Sequence, residues 1–425
     1  MKHITAFFIL MLLPILAQAQ TVTLDECQRL AQENYPLIKQ YDLIRQTTDY
    51  TVSNISKGWL PQISAMAQAT YQSDVMTLPD PLQKMLGQQG YDVKGLRKDQ
   101  YRIGIDINQT VYDCGLISGQ KNVARLEGEV QTAQTATDLY AIRQRINDLY
   151  FGILLLDEKI QLNKDLQVLL QSNLDKLKSM LSHGIAMQSD VNTVMAEKLK
   201  AEQQATELSS SRKSLTDMLA VFIGKEVTDL AMPQDVAVSS QGNNRPELHL
   251  FDTQIELANA QESLLNARLL PKLSVFAQGY YGYPGYDQFD AMFNRTWKLN
   301  GMVGVRLSWN IGALYTRKND RAKLNTRRNL VESSRETFLF NNHLLEIQQN
   351  DGIVKYRQLI ADDREIVSLR SDVRRAAESK LEHGIIDTNN LLQEITRENQ
   401  SRIDLSTHTI LMLKENYDLK YTTNN

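Results

Sequence analysis

Two histidines are the residues that most directly suggest chemistry, because a neutral imidazole is the commonest metal ligand in proteins. His183 and His383 each precede a glycine, in two segments of similar sequence that lie 200 positions apart. Neither histidine has a cysteine or a second histidine nearby, and the sequence contains no His-Glu-x-x-His pattern. The sequence therefore favours two polar turns, and we expect neither a metal nor any other cofactor.

Residues for enzymatic catalysis do not form a recognisable set. Neither a Ser-His-Asp combination nor a pair of carboxylates in one pocket can be argued from the sequence. Gly279, Gly282 and Gly285 resemble a phosphate loop, but they do not join a strand to a helix and no Lys-Ser/Thr pair follows. We predict ordinary turns there and no enzymatic activity, an exported enzyme being the least favoured alternative.

A basic segment is the strongest local charge feature. It contains six cationic residues: Arg317, Lys318, Arg321, Lys323, Arg327 and Arg328. The simplest interpretation is a solvated helix face. A functional alternative is a positive belt that either lines a channel or contacts anionic lipid head groups. The formal net charge of the chain is −3, which gives no reason to expect a nucleic-acid partner.

The N-terminus predicts export, with residues 1–19 as a signal peptide. Lys2 precedes the apolar run from Ile4 to Leu16, and Ala17-Gln18-Ala19 has the small residues of a cleavage site. No later run of about 18 apolar residues could form a transmembrane helix. We therefore expect an exported protein that either is soluble or enters a membrane as β-strands.

Long helices must position the two histidine-glycine turns. Residues 116–223 contain no proline and turn once at His183-Gly184, and residues 313–420 repeat this plan around His383-Gly384. From Ile142 to Ile160, apolar residues recur at alternating steps of four and three, which is the heptad pattern of a coiled coil. We predict two helical hairpins, each with further faces that neighbours must cover, because a lone hairpin of this length has too thin a core.

The second half of the chain repeats the first. Pro36 and Pro246 are each followed by another proline 25 positions later. We predict a first repeat over residues 20–243 and a second over residues 244–425, each with a helix, two strands and a long helical hairpin. The predicted strand–helix junctions are marked by four residues: Pro61, Gly115, Pro271 and Gly312.

Four segments alternate between apolar and polar residues, as strands do: residues 62–72, 101–112, 272–283 and 298–310. In the second of them, Ile103 and Ile105 alternate with Arg102 and Asp106. Each segment has about the length that a tilted strand needs to cross a bilayer, and aromatic residues cluster near the ends, as in an aromatic girdle. We predict strands of a membrane barrel with lipid outside and water inside. A soluble sandwich with one hydrated face is the alternative.

Four strands are too few to close such a barrel. The smallest bacterial barrels have about eight strands, and an open sheet in lipid would leave the polar groups of both edges unsatisfied. Closure therefore requires several identical chains in a cyclic ring. Two chains would supply eight strands, and three would supply twelve.

These features together resemble the TolC-like outer-membrane efflux proteins, over essentially the whole mature chain. The resemblance rests on an ordered set: the duplicated halves, Leu60-Pro61 and Leu270-Pro271, the turns at Gly115 and Gly312, and the hairpin turns at Gly184 and Gly384. It implies a mainly α fold with a β-barrel part, in which a homotrimer forms a 12-stranded barrel continued by an α-helical tunnel.

The resemblance also implies a function. Such a protein extends from the outer membrane into the periplasm and contacts outer-membrane lipid. It is the passive exit duct of a tripartite efflux or type I secretion system, and it works with a periplasmic adaptor (membrane fusion) protein and an inner-membrane pump. The alternative is a structural coiled-coil protein of the envelope without a pore.

Finally, the resemblance assigns the hairpin tips to the closed periplasmic end, where acidic residues ring the pore. Asp190 matches the acidic position of the first hairpin. Asn390 and Gln393 replace acidic residues on the second, so Asp387 is expected to supply charge there. From the residues alone, Asp190 is equally an N-cap after a glycine turn. The predicted tip residues are His183, Gly184, Asp190, His383, Gly384, Asp387, Asn390 and Gln393.

Overall fold

The computed structural model describes residues 21–93, 95–235 and 242–424, so the predicted signal peptide lies outside the described residues. The helices are α1 (Leu24–Asn34), α2 (Gln40–Ser56), α3 (Asp80–Gln88), α4 (Leu116–Tyr140), α5 (Ile142–Ser182), α6 (Gln188–Ile223), α7 (Pro246–Arg268), α8 (Gln288–Asn294), α9 (Arg317–Glu382) and α10 (Thr388–Thr423). The strands are β1 (Gln62–Tyr71), β2 (Asp99–Tyr112), β3 (Lys272–Tyr283) and β4 (Lys298–Ser308).

The chain forms two compact bodies, each built from separate stretches of sequence. The helical body comprises the described parts of Met1–Lys39, Thr135–Leu248 and Glu336–Asn425. The sheet body comprises Gln40–Gln134 and His249–Arg335.

Capping residues and prolines mark the ends of several short helices. The Oγ1 atom of Thr23 accepts a hydrogen bond from the backbone N–H of Glu26 at 3.3 Å and caps α1. Helix α1 ends before Pro36, and a 3-10 turn at Pro36–Lys39 leads into α2. Pro246 is the first residue of α7, a position at which the missing N–H of proline costs nothing.

The long helices differ in detail from the prediction. The helix expected from residue 116 to the first tip is interrupted at Ala141, where α4 gives way to α5. The second hairpin does not begin at residue 313, because a 3-10 turn at Ile311–Leu314 precedes α9, and α10 continues three residues past 420 to Thr423. Helix α9 runs for 66 residues without interruption.

The core of the helical body is made where the two hairpins meet. Ile146 and Ile153 of α5 are fully buried, as the heptad pattern predicts. Further along, apolar residues of α5, α6, α9 and α10 form one cluster: Leu170, Leu174, Leu177, Val191, Val194, Ala201, Ala377, Leu381, Leu391, Leu392 and Ile395. The second hairpin therefore covers a face of the first, which a single hairpin could not bury.

The sheet is antiparallel, with the strand order β1-β2-β3-β4. Three strand limits differ from the predicted ones. Strand β1 ends at Tyr71 rather than residue 72, β2 begins at Asp99 rather than residue 101, and β4 ends at Ser308 rather than residue 310. The pairing of β2 with β3 shifts register between Thr110 and Tyr112.

The two loops between paired strands are more ordered than their turn-rich sequences suggest, since they contain α3 and α8. The Oδ1 atom of Asp287 accepts the N–H of Asp290 at 3.0 Å and caps α8. Met292 of α8 is fully buried against Leu96 and Tyr283. The loops therefore pack on each other around a small apolar core of their own.

Candidate functional site

The two hairpin tips have the same backbone geometry. Gly184 has φ +74° and Gly384 has φ +70°, in the left-handed region that glycine adopts without strain. The N–H of Ile185 donates to the carbonyl of Met180 at 2.9 Å, and the N–H of Ile385 donates to the carbonyl of Lys380 at 2.9 Å. These are the bonds of a Schellman motif, which ends a helix by satisfying its last carbonyls. Glycine is thus required at both tips for a geometric reason.

The tip histidines bind their own helices. The Nδ1 atom of His183 lies 2.7 Å from the carbonyl oxygen of Ser179, and that of His383 lies 2.7 Å from the carbonyl oxygen of Ser379. Because a carbonyl oxygen can only accept, Nδ1 carries the proton in both rings. The two exposed imidazoles therefore stabilise helix ends. Among residues 21–93, 95–235 and 242–424, no group of three or more His, Cys, Asp or Glu side chains is placed to hold a metal ion.

The acidic tip residues each supply half of a capping box. Asp190 is the third residue of α6, and its Oδ2 accepts the N–H of Met187 at 2.9 Å. Met187 is the N-cap residue, so the interpretation of Asp190 as the N-cap is wrong by three positions. Asp387 is the N-cap of α10, and its Oδ1 accepts the N–H of Asn390 at 2.8 Å. Helices α6 and α10 are therefore each capped with the help of one acidic side chain. This side chain is the last residue of the four-residue box in α6 and the first residue of the box in α10.

The predicted tip residues also differ in exposure. Asp190 is half-buried, whereas Asp387, Asn390 and Gln393 are exposed. Leu381 is 9% exposed and belongs to the apolar cluster between the hairpins. Contacts between the hairpins near the tips are thus largely apolar.

One ion pair joins the two hairpins close to the tips, and the sequence analysis missed it. The Nζ atom of Lys176 on α5 lies 2.8 Å from Oε1 of Glu382 on α9, and each side chain is 50% exposed. The hydrogen bond from Lys176 holds the pKa of Glu382 below its ordinary value. The two residues are 206 positions apart, so no local pattern announces their contact.

A buried charge cluster lies between α9 and α10. Glu398 is 3% exposed, and its carboxylate accepts hydrogen bonds from Arg374 and, at 2.7 Å, from Nη2 of Arg402. Arg374 also contacts Glu378 at 2.8 Å. Burial alone would raise the pKa of Glu398, but the bonds from Arg402 and Arg374 outweigh it and hold the pKa below its ordinary value. This cluster fastens the two helices of the second hairpin to each other.

The sheet separates apolar from polar residues as the alternation predicts. Ile103 pairs with Ala67 and Tyr281, and Ile105 pairs with Ala65, so all of them share one face. The apolar residues of this face on β4 are largely exposed: Leu299 is 82% exposed, Val303 75%, Val305 68% and Leu307 70%. A continuous apolar sheet surface of this kind marks an interaction with lipid or with another protein.

The opposite face is mostly polar and includes two aromatic side chains of β3, Phe276 and Tyr280. The Nε atom of Arg102 donates to Oε1 of Gln68 at 2.7 Å. Phe276, which breaks the alternation of β3, lies on this face, with the guanidinium of Arg306 4.6 Å from its ring centroid. A Cβ atom at Gly304 would come within 2.8 Å of the ring, so the glycine provides the space that Phe276 occupies.

The four predicted junction residues lie at four junctions, and the two that contain glycine differ from each other. Gly115 has φ +85°, and Asp113 caps α4 by accepting the N–H groups of Gly115 at 3.0 Å and Ile117 at 2.6 Å. Gly312 instead lies within a 3-10 turn. Pro61 and Pro271 each directly precede a strand, and the carbonyl of Pro271 accepts the thiol of Cys114 at 3.2 Å.

None of the helices in the described part of the chain is long and apolar enough to span a membrane.

No protein family matches the chain by sequence, and no curated protein does so either. Its fold, in contrast, matches solved structures of outer-membrane channels. The outer-membrane channel OprN has 12% sequence identity and a TM-score of 0.69, over 94% of this chain and 89% of that one. The outer membrane protein VceC from Vibrio cholerae has 12% identity and a TM-score of 0.68, over 95% and 96%.

The Campylobacter jejuni CmeC outer membrane channel has 11% identity and a TM-score of 0.66, over 94% of this chain and 85% of that one. The chain therefore has the fold of these channels along nearly its whole length. The mainly helical fold with an antiparallel sheet, expected from the resemblance to TolC-like proteins, is confirmed.

Proposed function

We propose that the chain is an outer-membrane exit duct, which passively conducts solutes from a pump and an adaptor across the periplasm and the outer membrane. Three copies form a 12-stranded barrel in lipid, and their long helices form the tunnel that continues it. The partners are a periplasmic adaptor protein and an inner-membrane pump of a tripartite efflux or type I secretion system. The similarity of fold to channels of the outer membrane supports this assignment.

The exposed apolar face of the four-stranded sheet is the observation that carries the proposal. Exposing such a face to water costs about 25 cal/mol of free energy for each Å² of apolar surface, whereas lipid would cover it. The outer edges of β1 and β4 have no strand partner within the described residues. In lipid these edges must be paired, because no water is available to satisfy their N–H and C=O groups. Pairing β4 of one copy with β1 of the next satisfies both edges and closes the barrel.

The hairpin tips form the closed periplasmic mouth in this proposal. A three-fold ring of Asp190 carboxylates would favour cations in the pore, with Asp387 adding charge on the second hairpin. The pair between Lys176 and Glu382 links the two hairpins of one chain and acts as a latch on the closed state. Glycine and histidine at each tip give the mouth a fixed shape, as the matching bonds at 184 and 384 indicate.

The experiment is reconstitution of the purified protein in planar lipid bilayers, combined with a measurement of its mass in detergent. We expect a trimer, resistant to dissociation until heated, that opens discrete conducting channels. A monomer or dimer that is soluble without detergent and does not conduct would refute the proposal, and would favour the structural coiled-coil protein instead.

The role of Asp190 is tested by the Asp190→Asn variant. Asparagine keeps an oxygen that can accept the N–H of Met187, so the cap of α6 is retained while the charge is removed. We expect the preference for potassium over chloride to fall. The Asp372→Asn variant, which neutralises a 68% exposed carboxylate on α9, serves as the matched control. Unchanged ion selectivity in Asp190→Asn would exclude the ring.

A further inference from the structure

The junction from β4 to α9 exposes a patch of apolar side chains directly after the apolar face of the sheet. Trp309 is 53% exposed, Ile311 53%, Leu314 41% and Tyr315 86%. The indole N–H of Trp309 donates to the carbonyl of Leu269 at 2.9 Å, which fixes the ring at the end of the strand. We call these four residues, together with the two cations that follow them, the junction patch.

The basic segment that begins here divides into two groups. Arg321 and Arg328 both contact Glu262 at 2.7 Å, so their charges are engaged within the sheet body. Two further cations of the segment also have partners. The Nη1 atom of Arg327 lies 3.3 Å from Oε1 of Gln261, and the Nζ atom of Lys323 lies 3.7 Å from Oδ1 of Asp320. The side chains of Arg317 and Lys318 are exposed and make no hydrogen bond or ion pair with any residue that the structure describes.

We propose that Arg317 and Lys318, with the apolar residues of the junction patch, bind the phosphate of an anionic phospholipid at the membrane surface. This inference rests on the proposed function, since it requires the sheet to lie in a bilayer. Trp309 and Tyr315 occupy the depth at which aromatic side chains favour the membrane–water interface. The two cations come next along the chain, where long side chains reach the head groups while their stems stay against apolar surface.

Charge complementarity selects an anionic lipid. Within residues 317–328 there are six cationic residues and one acidic residue, Asp320, in a chain whose formal net charge is −3. Asp320 is paired with Lys323, and no acidic side chain among the described residues pairs with Arg317 or Lys318. Each cation near a membrane surface favours anionic lipid by a factor of about five, so two cations together favour it by about 25-fold.

The equivalent junction of the first repeat lacks this chemistry. After Tyr112 the chain carries the buried carboxylate of Asp113, and the first cation is Lys121. Ile117, close to the start of α4, is 7% exposed. Each chain therefore has one junction patch, at the second junction, and a trimer has three.

The protein contains its own reporter, because Trp309 is one of three tryptophans. In the Trp59→Phe/Trp297→Phe background, Trp309 is the only source of tryptophan fluorescence. Brominated phosphatidylglycerol and brominated phosphatidylcholine quench tryptophan on contact, and their relative quenching in vesicles measures lipid preference at this position. We expect phosphatidylglycerol to be preferred by about 25-fold at low salt, and the preference to shrink in 1 M NaCl because salt screens exposed charges.

The Arg317→Gln/Lys318→Gln variant is expected to lose this preference. Its control is Arg364→Gln/Arg375→Gln, which removes two exposed charges from the same helix and is expected to retain the preference. Equal quenching by the two lipids in the parent protein would overturn the proposal, as would an equal loss in the control variant.

Conductance and mass separate this inference from the proposed function. If the parent protein forms conducting trimers but shows no lipid preference, the inference alone is wrong. If neither lipid quenches Trp309 and no channel opens, the membrane function itself is wrong. If the Arg317→Gln/Lys318→Gln variant dissociates and the parent shows no preference, these residues form a subunit contact and the lipid site is refuted.

Discussion

Removing the charge of Glu398 is expected to loosen α9 from α10 by about 3 kcal/mol, the lower end of the cost of breaking a buried ion pair. The carboxylate is 3% exposed and holds both Arg374 and Arg402. In Glu398→Gln the volume is kept, but the buried guanidinium of Arg374 loses one of its two carboxylate partners. The lower end applies because Arg374 retains Glu378 at 2.8 Å.

Hydrogen exchange of the assembled protein measures this change locally. A loss of about 3 kcal/mol raises the exchange rate of amides near residues 374 and 398 by about two orders of magnitude. The control is Asp372→Asn, which breaks the pair of Asp372 with Arg375, whose side chains are 68% and 65% exposed. For that pair we expect less than about 0.5 kcal/mol, or a change of about twofold. An increase below threefold in Glu398→Gln, or one equal to that of the control, would refute the reasoning.

The pH dependence follows from the direction of the same pKa. The pKa of Glu398 is lower in the folded chain than its ordinary value. Its stabilising contribution is therefore complete above the ordinary glutamate pKa of about 4.3 and disappears as the pH falls through the lower folded value. We expect protection of α9 and α10 to drop in this acid range, after correction for intrinsic exchange rates, and the drop to be smaller in Glu398→Gln.

Three further predictions concern the tips and the sheet. Gly184→Ala places a side chain at φ +74° and should cost about 1 kcal/mol, seen as faster hydrogen exchange at the first tip. Lys176→Glu should increase the fraction of time that channels are open in bilayer recordings, and Lys176→Glu/Glu382→Lys should restore closure. If the double variant does not restore closure, the ion pair is not a latch on the closed state. Gly104→Ala would bring a Cβ within 2.5 Å of the carbonyl of Gly279 and should abolish the heat-sensitive trimer. Gly301→Ala, with its nearest atom at 4.0 Å, should assemble normally.

The large elements could be predicted because their causes are local. A long stretch without proline and a heptad repeat determine that α5 is a helix, and a step of two residues determines the faces of β2. The interruption of a long helix and the presence of a short helix were harder to predict. The interruption at Ala141 follows a tyrosine whose hydroxyl donates to the carbonyl of Tyr421 at 2.7 Å, a contact across 281 positions. Helix α8 was missed because Asp287 caps a short segment whose apolar side is buried only by the neighbouring loop.

The candidate site likewise contains residues that the local sequence predicts and contacts that depend on packing. The sequence identified the glycines and histidines of both tips, because a helix that ends in a left-handed residue needs glycine whatever surrounds it. It placed Asp190 at the right tip but not in the right part of the capping box. Neither the contact of Lys176 with Glu382 nor the burial of Glu398 could be found, since each depends on which faces of α5, α9 and α10 meet.

By itself, the sequence determined the helical hairpins, the alternation of the strands and the glycine turns, because each is a property of neighbouring residues. The duplication of the two halves stays a prediction. Only the tertiary structure decided which charges are paired. It engaged Arg321 and Arg328 with Glu262, whereas the side chains of Arg317 and Lys318 have no partner among the described residues, although all four belong to one basic run. The physical reason is that a charge pattern gives the sign and spacing of side chains, whereas pairing depends on a second element whose position only packing determines.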